Sequence, residues 1–217
     1  MSLRRGFGIG ALLVTAALVT SQVISQDGKP EKSTGKDAPA MSPQEAEMMA
    51  KWAKAATPGE PHAKLAKLAG NWKFTIKYRM DENAPWTEST GTSEMKTVLD
   101  GRYVMDTTTG QTDMGPFQGL GMTGFDNVSQ KYVSFWADNM GTSPMMLEGT
   151  ADAAGKVITY MGTCNCPMEG PGKRMKMVVT MTDKDHFTHE SYSYDAAGKE
   201  WKGMEIQYTR ANAGMMK

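Results

Sequence analysis

Residues 71–80 read Asn71-Trp72-Lys73-Phe74-Thr75-Ile76-Lys77-Tyr78-Arg79-Met80. Trp72, Phe74, Ile76, Tyr78 and Met80 alternate with Lys73, Thr75, Lys77 and Arg79. Successive side chains of a strand point to opposite faces, so this period of two predicts a strand with one buried and one wet face. C-terminal to it, further strand-like runs recur at roughly ten-residue spacing. They lie near 88–99, 102–113, 117–125, 131–139, 145–151, 156–163, 173–182, 186–194 and 201–210. Asp100-Gly101, Asp126-Asn127, Gly141 to Pro144, Ala154-Gly155, Asp183 to Asp185 and Ala197-Gly198 separate them as turns. Asp100-Gly101 fits a two-residue primed hairpin, in which both central residues take positive φ. No helix is expected after Gly70.

About ten antiparallel strands joined by short turns predict an up-and-down sheet, and closing it into a barrel removes its exposed edges. A β-sandwich would need longer crossovers than these turns supply. Gly119, Gly121 and Gly124 crowd into one run, where a bend or bulge that aids closure is expected. The fold class is therefore an all-β, lipocalin-like up-and-down barrel with a short N-terminal helical segment.

N-terminal to the first strand the pattern changes. Ser42-Pro43-Gln44-Glu45 is a capping box with proline at the first helical position. A helix from Pro43 to about Ala56 follows, with Ala46, Met49, Ala50 and Ala53 at helical spacing. Thr57-Pro58-Gly59-Glu60 repeats the signal and opens a second short helix through His62, Leu65 and Leu68, ending at Gly70. Residues 42–69 thus form a helical lead-in to a barrel domain at 70–211. Residues 26–41 are polar, with Pro, Gly, Ser and Lys and no apolar period, as in a flexible linker. Residues 1–25 carry Arg4 and Arg5, the apolar run from Gly8 to Val19, and small residues at Val23 and Ser25. That is the pattern of a secretory signal peptide, cleaved before Gln26. The apolar run is shorter than the roughly 20 residues of a membrane span. The expected mature protein is periplasmic or extracellular, with no membrane span left.

Leu68-Ala69-Gly70-Asn71-Trp72 opens the first strand and Tyr208-Thr209-Arg210 closes the last. A Gly-x-Trp start with an arginine on the terminal strand resembles the calycin signature of lipocalins and related barrels. The resemblance implies that Trp72 covers the barrel floor and Arg210 lies across it. A cation–π contact and guanidinium bonds to backbone carbonyls would supply the physical reason. A longer pattern runs through His62, Leu65, Leu68, Gly70-x-Trp72 and Asp100-Gly101-Arg102. It continues through Phe117-x-Gly119-x-Gly121-x-x-Gly124-Phe125-Asp126, Tyr132-x-x-x-Trp136-x-Asp138, Leu147-x-Gly149 and Gly198-Lys199-Glu200. Over roughly residues 60–211 it is similar to the bacterial domain-of-unknown-function family 1579. That resemblance implies a lipocalin-like barrel and brings no catalytic residue.

Composition limits the function classes. The chain carries 24 Lys+Arg and 24 Asp+Glu, a formal charge of zero, which argues against electrostatic nucleic-acid binding. Losing Arg4 and Arg5 with the signal would leave a charge of minus two. Two cysteines among 217 residues exclude a disulfide-dense scaffold. No Gly-x-Ser-x-Gly elbow and no His-Glu-x-x-His stretch is present. His186 and His189 are three apart on one strand, so their rings should face opposite sides, and His62 should cap or pack at a helix start.

Two clusters are candidate sites. Ser134, Trp136 and Asp138 share one strand face, as do Glu190, Tyr192 and Tyr194. Turned inward, Trp136, Asp138, Glu190 and Tyr192 would line a cavity suited to a small amphipathic or apolar molecule. Periodicity does not decide which way they turn. The second cluster is Met161-Gly162-Thr163-Cys164-Asn165-Cys166-Pro167-Met168. Thiolates and thioethers suit Cu(I), so Cys164, Cys166 and Met168 form an alternative soft-metal or thiol redox site. Methionine also fills irregular gaps in cores, a bland reading of the same residues, of which the chain has 20. The sequence thus points to an exported, non-enzymatic binding barrel. Its alternative is copper or redox handling, and a cryptic enzyme in the same cavity is a third reading.

Overall fold

The computed structural model describes residues 41–211. The expected signal peptide and, save for Met41, the expected linker lie outside the described residues. The first helix, α1 (Pro43–Ala56), starts where the sequence placed it, yet none of its residues is buried. Its last carbonyls lack intrahelical donors. Asn127 supplies them, its Nδ2 donating to Ala55 at 3.0 Å and to Thr57 at 2.8 Å.

The second helix, α2 (Glu60–Ala66), starts after Gly59 and buries His62 and Leu65. The Gly59 N–H donates to His62 Nδ1 at 3.0 Å, so His62 caps the helix. Its ring also meets Phe125 edge-on at 5.9 Å. The helix ends short of Gly70. Leu68 and Ala69 then tighten into bonds from their N–H groups to the carbonyls of Leu65 and Ala66.

Ten strands follow: β1 (Gly70–Tyr78), β2 (Thr87–Val98), β3 (Tyr103–Thr112), β4 (Gly115–Asp126), β5 (Lys131–Asp138), β6 (Met145–Ala151), β7 (Val157–Cys166), β8 (Gly170–Met181), β9 (His186–Tyr194) and β10 (Glu200–Arg210). Each pairs antiparallel with its sequence neighbours, and β1 pairs with β10, which closes the barrel. No strand edge remains open, as the sequence argument for closure required. The closing register sets Trp72 opposite Arg210, Phe74 opposite Tyr208 and Ile76 opposite Ile206. β1 stops at Tyr78, so Met80 leaves the alternating run and is 82% exposed.

Two local expectations are corrected. β4 pairs with β3 and β5 without a register shift, so its glycines make no bulge. The irregularities lie between Cys164 and Cys166 in β7 and between Lys202 and Met204 in β10. Asp100 and Gly101 do take positive φ, 55° and 80°, and the Arg102 N–H reaches the Leu99 carbonyl at 3.3 Å. Leu99 is left-handed too, at φ 51°, so the ladder stops at the pair Val98 and Tyr103. For a residue with a Cβ that conformation costs about 1–2 kcal/mol.

The inward face of β1 is the apolar set read from the sequence: Trp72 and Phe74 are buried. With Leu65, Val104, Tyr132, Leu147, Ile158, Tyr160, Phe187 and Tyr208 they form the core. The core gathers at the end where β1 begins and β10 ends, under α2.

Candidate functional site

Trp72 and Arg210 close that end. Trp72 is 1% exposed, and its Nε1 donates to the Leu68 carbonyl at 2.8 Å. The guanidinium of Arg210 lies 4.1 Å from the indole. It donates to the carbonyls of Ala69 and Lys67 at 2.9 Å each, and twice to that of Lys184, at 3.0 and 2.9 Å. One side chain thereby joins β10, the segment after α2 and the β8–β9 turn. Gly70, at φ 137°, leaves room for Nη1 of Arg210, and a Cβ there would collide with it. This is the physical content of the Gly-x-Trp start.

Above the floor the barrel is hollow. A cavity of about 450 Å³ runs from Leu65 and Leu68 at the floor to Gln111, Thr112 and Ser143 at the far end. Gln111 and Ser143 are exposed, so that end is the mouth. Phe74, Tyr160, Met177, Phe187 and Tyr208 supply much of the apolar wall. A second hollow, of about 170 Å³, lies beside Ala55, His62, Arg102 and Asn127. There His62, Arg102 and Asn127 are already bonded to nearby backbone.

Trp136 and Asp138 line the cavity near the mouth. Trp136 Nε1 donates to Asp138 Oδ2 at 2.8 Å, and the Met140 N–H donates to Asp138 Oδ1 at 3.0 Å. The indole lies against Gly119 and Gly121, where a Cβ would meet its ring. It is stacked with Phe117 at 6.4 Å. Two of the crowded β4 glycines, Gly119 and Gly121, therefore make space for an indole, and the third, Gly124, makes space for the Tyr103 ring.

Glu190 and Tyr192 are on the other side of the wall, which corrects the expectation that they join the lining. Phe187, His189 and Ser191 of β9 face the cavity, so strand parity turns Glu190 and Tyr192 outward. There Glu190 pairs with Lys202, and Tyr192 donates to Glu190 Oε2 at 3.1 Å. Lys176 sits 4.2 Å over the Tyr192 ring. Burial by itself would lower the pKa of Lys202, but the Glu190 and Glu205 carboxylates beside it raise it. The same contact with Lys202 lowers Glu205. These are features of a stable outer face.

Cys164 and Cys166 are free and half-buried, within β7 on either side of its register shift. Burial pushes the Cys164 thiol up, away from the reactive thiolate. Met168 is 85% exposed in the following turn. Among the described residues no group of three or more His, Cys, Asp or Glu is gathered as a metal site. The soft-metal alternative therefore gains no additional donor of those types.

The sequence reading passed over a polar cluster inside the barrel. Asp106 of β3 lines the cavity, and its Oδ1 accepts from Ser93 at 2.5 Å and from Thr108 at 3.0 Å. Burial raises the Asp106 pKa, and the two hydroxyl bonds partly counter it. His189 lines the same cavity, and its Nε2 is buried without a partner. Burial pulls this histidine down to about 4, so it is neutral at neutral pH. His186, three residues away, sits outside and pairs with Asp183 at 3.0 Å. A lone acid at even spacing from Val104 was the available signal for Asp106.

A closed ten-stranded antiparallel barrel with a sealed floor, an open mouth and an internal cavity is a lipocalin-like barrel. Residues 57–210 match the family described as a protein of unknown function (DUF1579), and the chain belongs to that family. Among solved structures it is similar to Rv2717c from M. tuberculosis, at 14% identity and a TM-score of 0.53, over 72% of this chain and 100% of that one. It is also similar to a de novo designed fluorescence-activating β-barrel, at 15% identity and a TM-score of 0.38, over 70% of this chain and 100% of that one. Among curated proteins, none matches.

Proposed function

We propose that this chain is an exported, non-enzymatic binding protein that holds one small, partly apolar molecule inside its barrel. The observation that carries the reading is the cavity of about 450 Å³. Small-molecule sites are commonly about 300–1,000 Å³, mostly apolar, with a few convergent polar groups. The walls are aromatic and methionine-rich, and Asp106, Asp138, His189 and several Ser and Thr hydroxyls are the polar points. Trp136 and Asp138 are the proposed contacts at the mouth. Methionine suits such a wall because its flexible thioether adapts to the shape it meets. Export to the periplasm or exterior is supported by Arg4, Arg5 and the apolar run from Gly8 to Val19.

Native mass spectrometry of the exported protein tests both halves. The expected species starts at Gln26 and carries a mass adduct that denaturation releases. A cytoplasmic, uncleaved chain would remove the export half. An adduct-free protein that also fails to take up an environment-sensitive apolar dye would remove the binding half.

A further inference from the structure

The charge of the cavity narrows its ligand. Two carboxylates, Asp106 and Asp138, line it, and no Lys or Arg stands among its described lining residues. Asp138 is engaged through both oxygens, with Trp136 and with the Met140 N–H. Asp106 is different, because Ser93 and Thr108 both donate to Oδ1 and none of the described hydrogen bonds uses Oδ2. A carboxylate held in an apolar wall without a cation is far from its preferred state. His189, neutral and with an unpartnered buried Nε2, lines the same cavity and offers a neutral polar group rather than a positive charge. Around them stand apolar and aromatic groups, including Tyr208, which stacks on Phe187 at 4.1 Å.

An anion entering this space would meet two like charges and no counter-ion. A neutral molecule would fill the apolar volume and leave the Asp106 carboxylate without a partner charge. A protonated amine on an apolar body satisfies both demands, because its N–H groups donate to Oδ2 in a charge-assisted bond while the body packs on the aromatic wall. Resting on the binding-barrel reading above, we propose that the cavity selects lipophilic amines, with the ammonium held at Oδ2 of Asp106, and rejects fatty acids and other anions.

Calorimetric titration of the full chain with decylamine, decanol and decanoate tests the proposal, since the three share one apolar body and differ in head group. Decylamine should bind about tenfold or more tightly than decanol, with decanoate the weakest. Asp106→Asn should erase the preference of amine over alcohol. If that variant does not fold, the ranking in the unmodified protein still decides. Decanol or decanoate binding as tightly as decylamine would overturn the amine proposal and leave the binding barrel standing. No heat from any of the three, together with no displacement of an environment-sensitive apolar dye, would overturn both readings. An amine preference that survives Asp106→Asn in a folded variant would overturn the assignment to Asp106.

Discussion

The two ends of the barrel each carry an arginine stacked on tryptophan, and they do different work. At the floor, Arg210 lies on the buried Trp72 and is bonded to three carbonyls in two segments. At the mouth, Arg79 sits 4.6 Å from the Trp86 ring and 5.6 Å from that of Trp201, and donates to the Lys202 carbonyl at 2.9 Å. Both clasps lie along the β1–β10 seam that closes the barrel. The floor clasp holds Trp72 at 1% exposure under a partly covered Arg210, whereas Trp86 is 43% exposed. Met80, Met114 and Met168, in three of the mouth loops, are each more than four-fifths exposed. The contrast is between an end whose polar groups are satisfied by backbone and an end that leaves adaptable apolar side chains in water. Under the proposed binding role, stability belongs to the first and ligand entry to the second.

Truncating the floor should produce the largest effect. Trp72→Ala removes a fully buried indole, and loss of about 3–5 kcal/mol is expected in urea denaturation. A loss under about 1 kcal/mol would mean that the floor is not the stabilising end.

Between the two ends, His189 should control acid sensitivity. Its folded pKa of about 4 lies below the ordinary 6.5. Its contribution is therefore complete above pH 6.5 and is lost as pH falls towards about 4, with about 3 kcal/mol in total. Asp106, raised by burial, acts in the opposite sense, because its folded form holds a proton more readily than its unfolded form. The difference between the parent and His189→Leu, measured at about pH 7 and about pH 4, isolates the histidine. An unchanged difference would show that the ring protonates freely in the folded state.

Arg210→Met keeps much of the stem but loses the donors, and about 2 kcal/mol of destabilisation is expected. Arg210→Lys should recover little of it, because one ammonium does not reproduce a planar fork spread over three carbonyls. The equivalent Arg79→Met change at the mouth should cost about 1 kcal/mol or less, since its stacking partners are partly solvated. Equal losses at both sites would erase the proposed distinction between the ends.

The outer face should respond least. Glu190→Gln should change stability by under about 1 kcal/mol, as expected for partly exposed ion pairs, and should leave cavity binding as it is. A marked loss of binding in that variant would return Glu190 to the site.

The alternation from Trp72 to Tyr78 and the turn pairs between later runs made the ten strands legible, because period and turn chemistry are local properties of a chain. The Ser42 capping box did the same for α1. The resemblance carried by Gly70, Trp72 and Arg210 pointed to their meeting at the floor. β9 was harder. Its inner set of Phe187, His189 and Ser191 is scarcely more apolar than its outer set of Glu190, Tyr192 and Tyr194, so composition carried no sign for the parity. Ser134, Trp136 and Asp138 shared a face in the sequence, but their direction was equally open.

The sequence by itself thus determined the number and order of the strands, the helical lead-in and the residues that share a face within each strand. Tertiary structure decided which face turned inward. It also brought Ser93, Asp106 and Thr108 together across β2 and β3, and laid the Trp136 indole on the β4 glycines. The reason is that alternation specifies relative parity within a strand, whereas absolute parity comes from the hydrogen-bond register with its neighbours. In β9 that register runs through Met181 and Phe187 on one side and Tyr208 on the other.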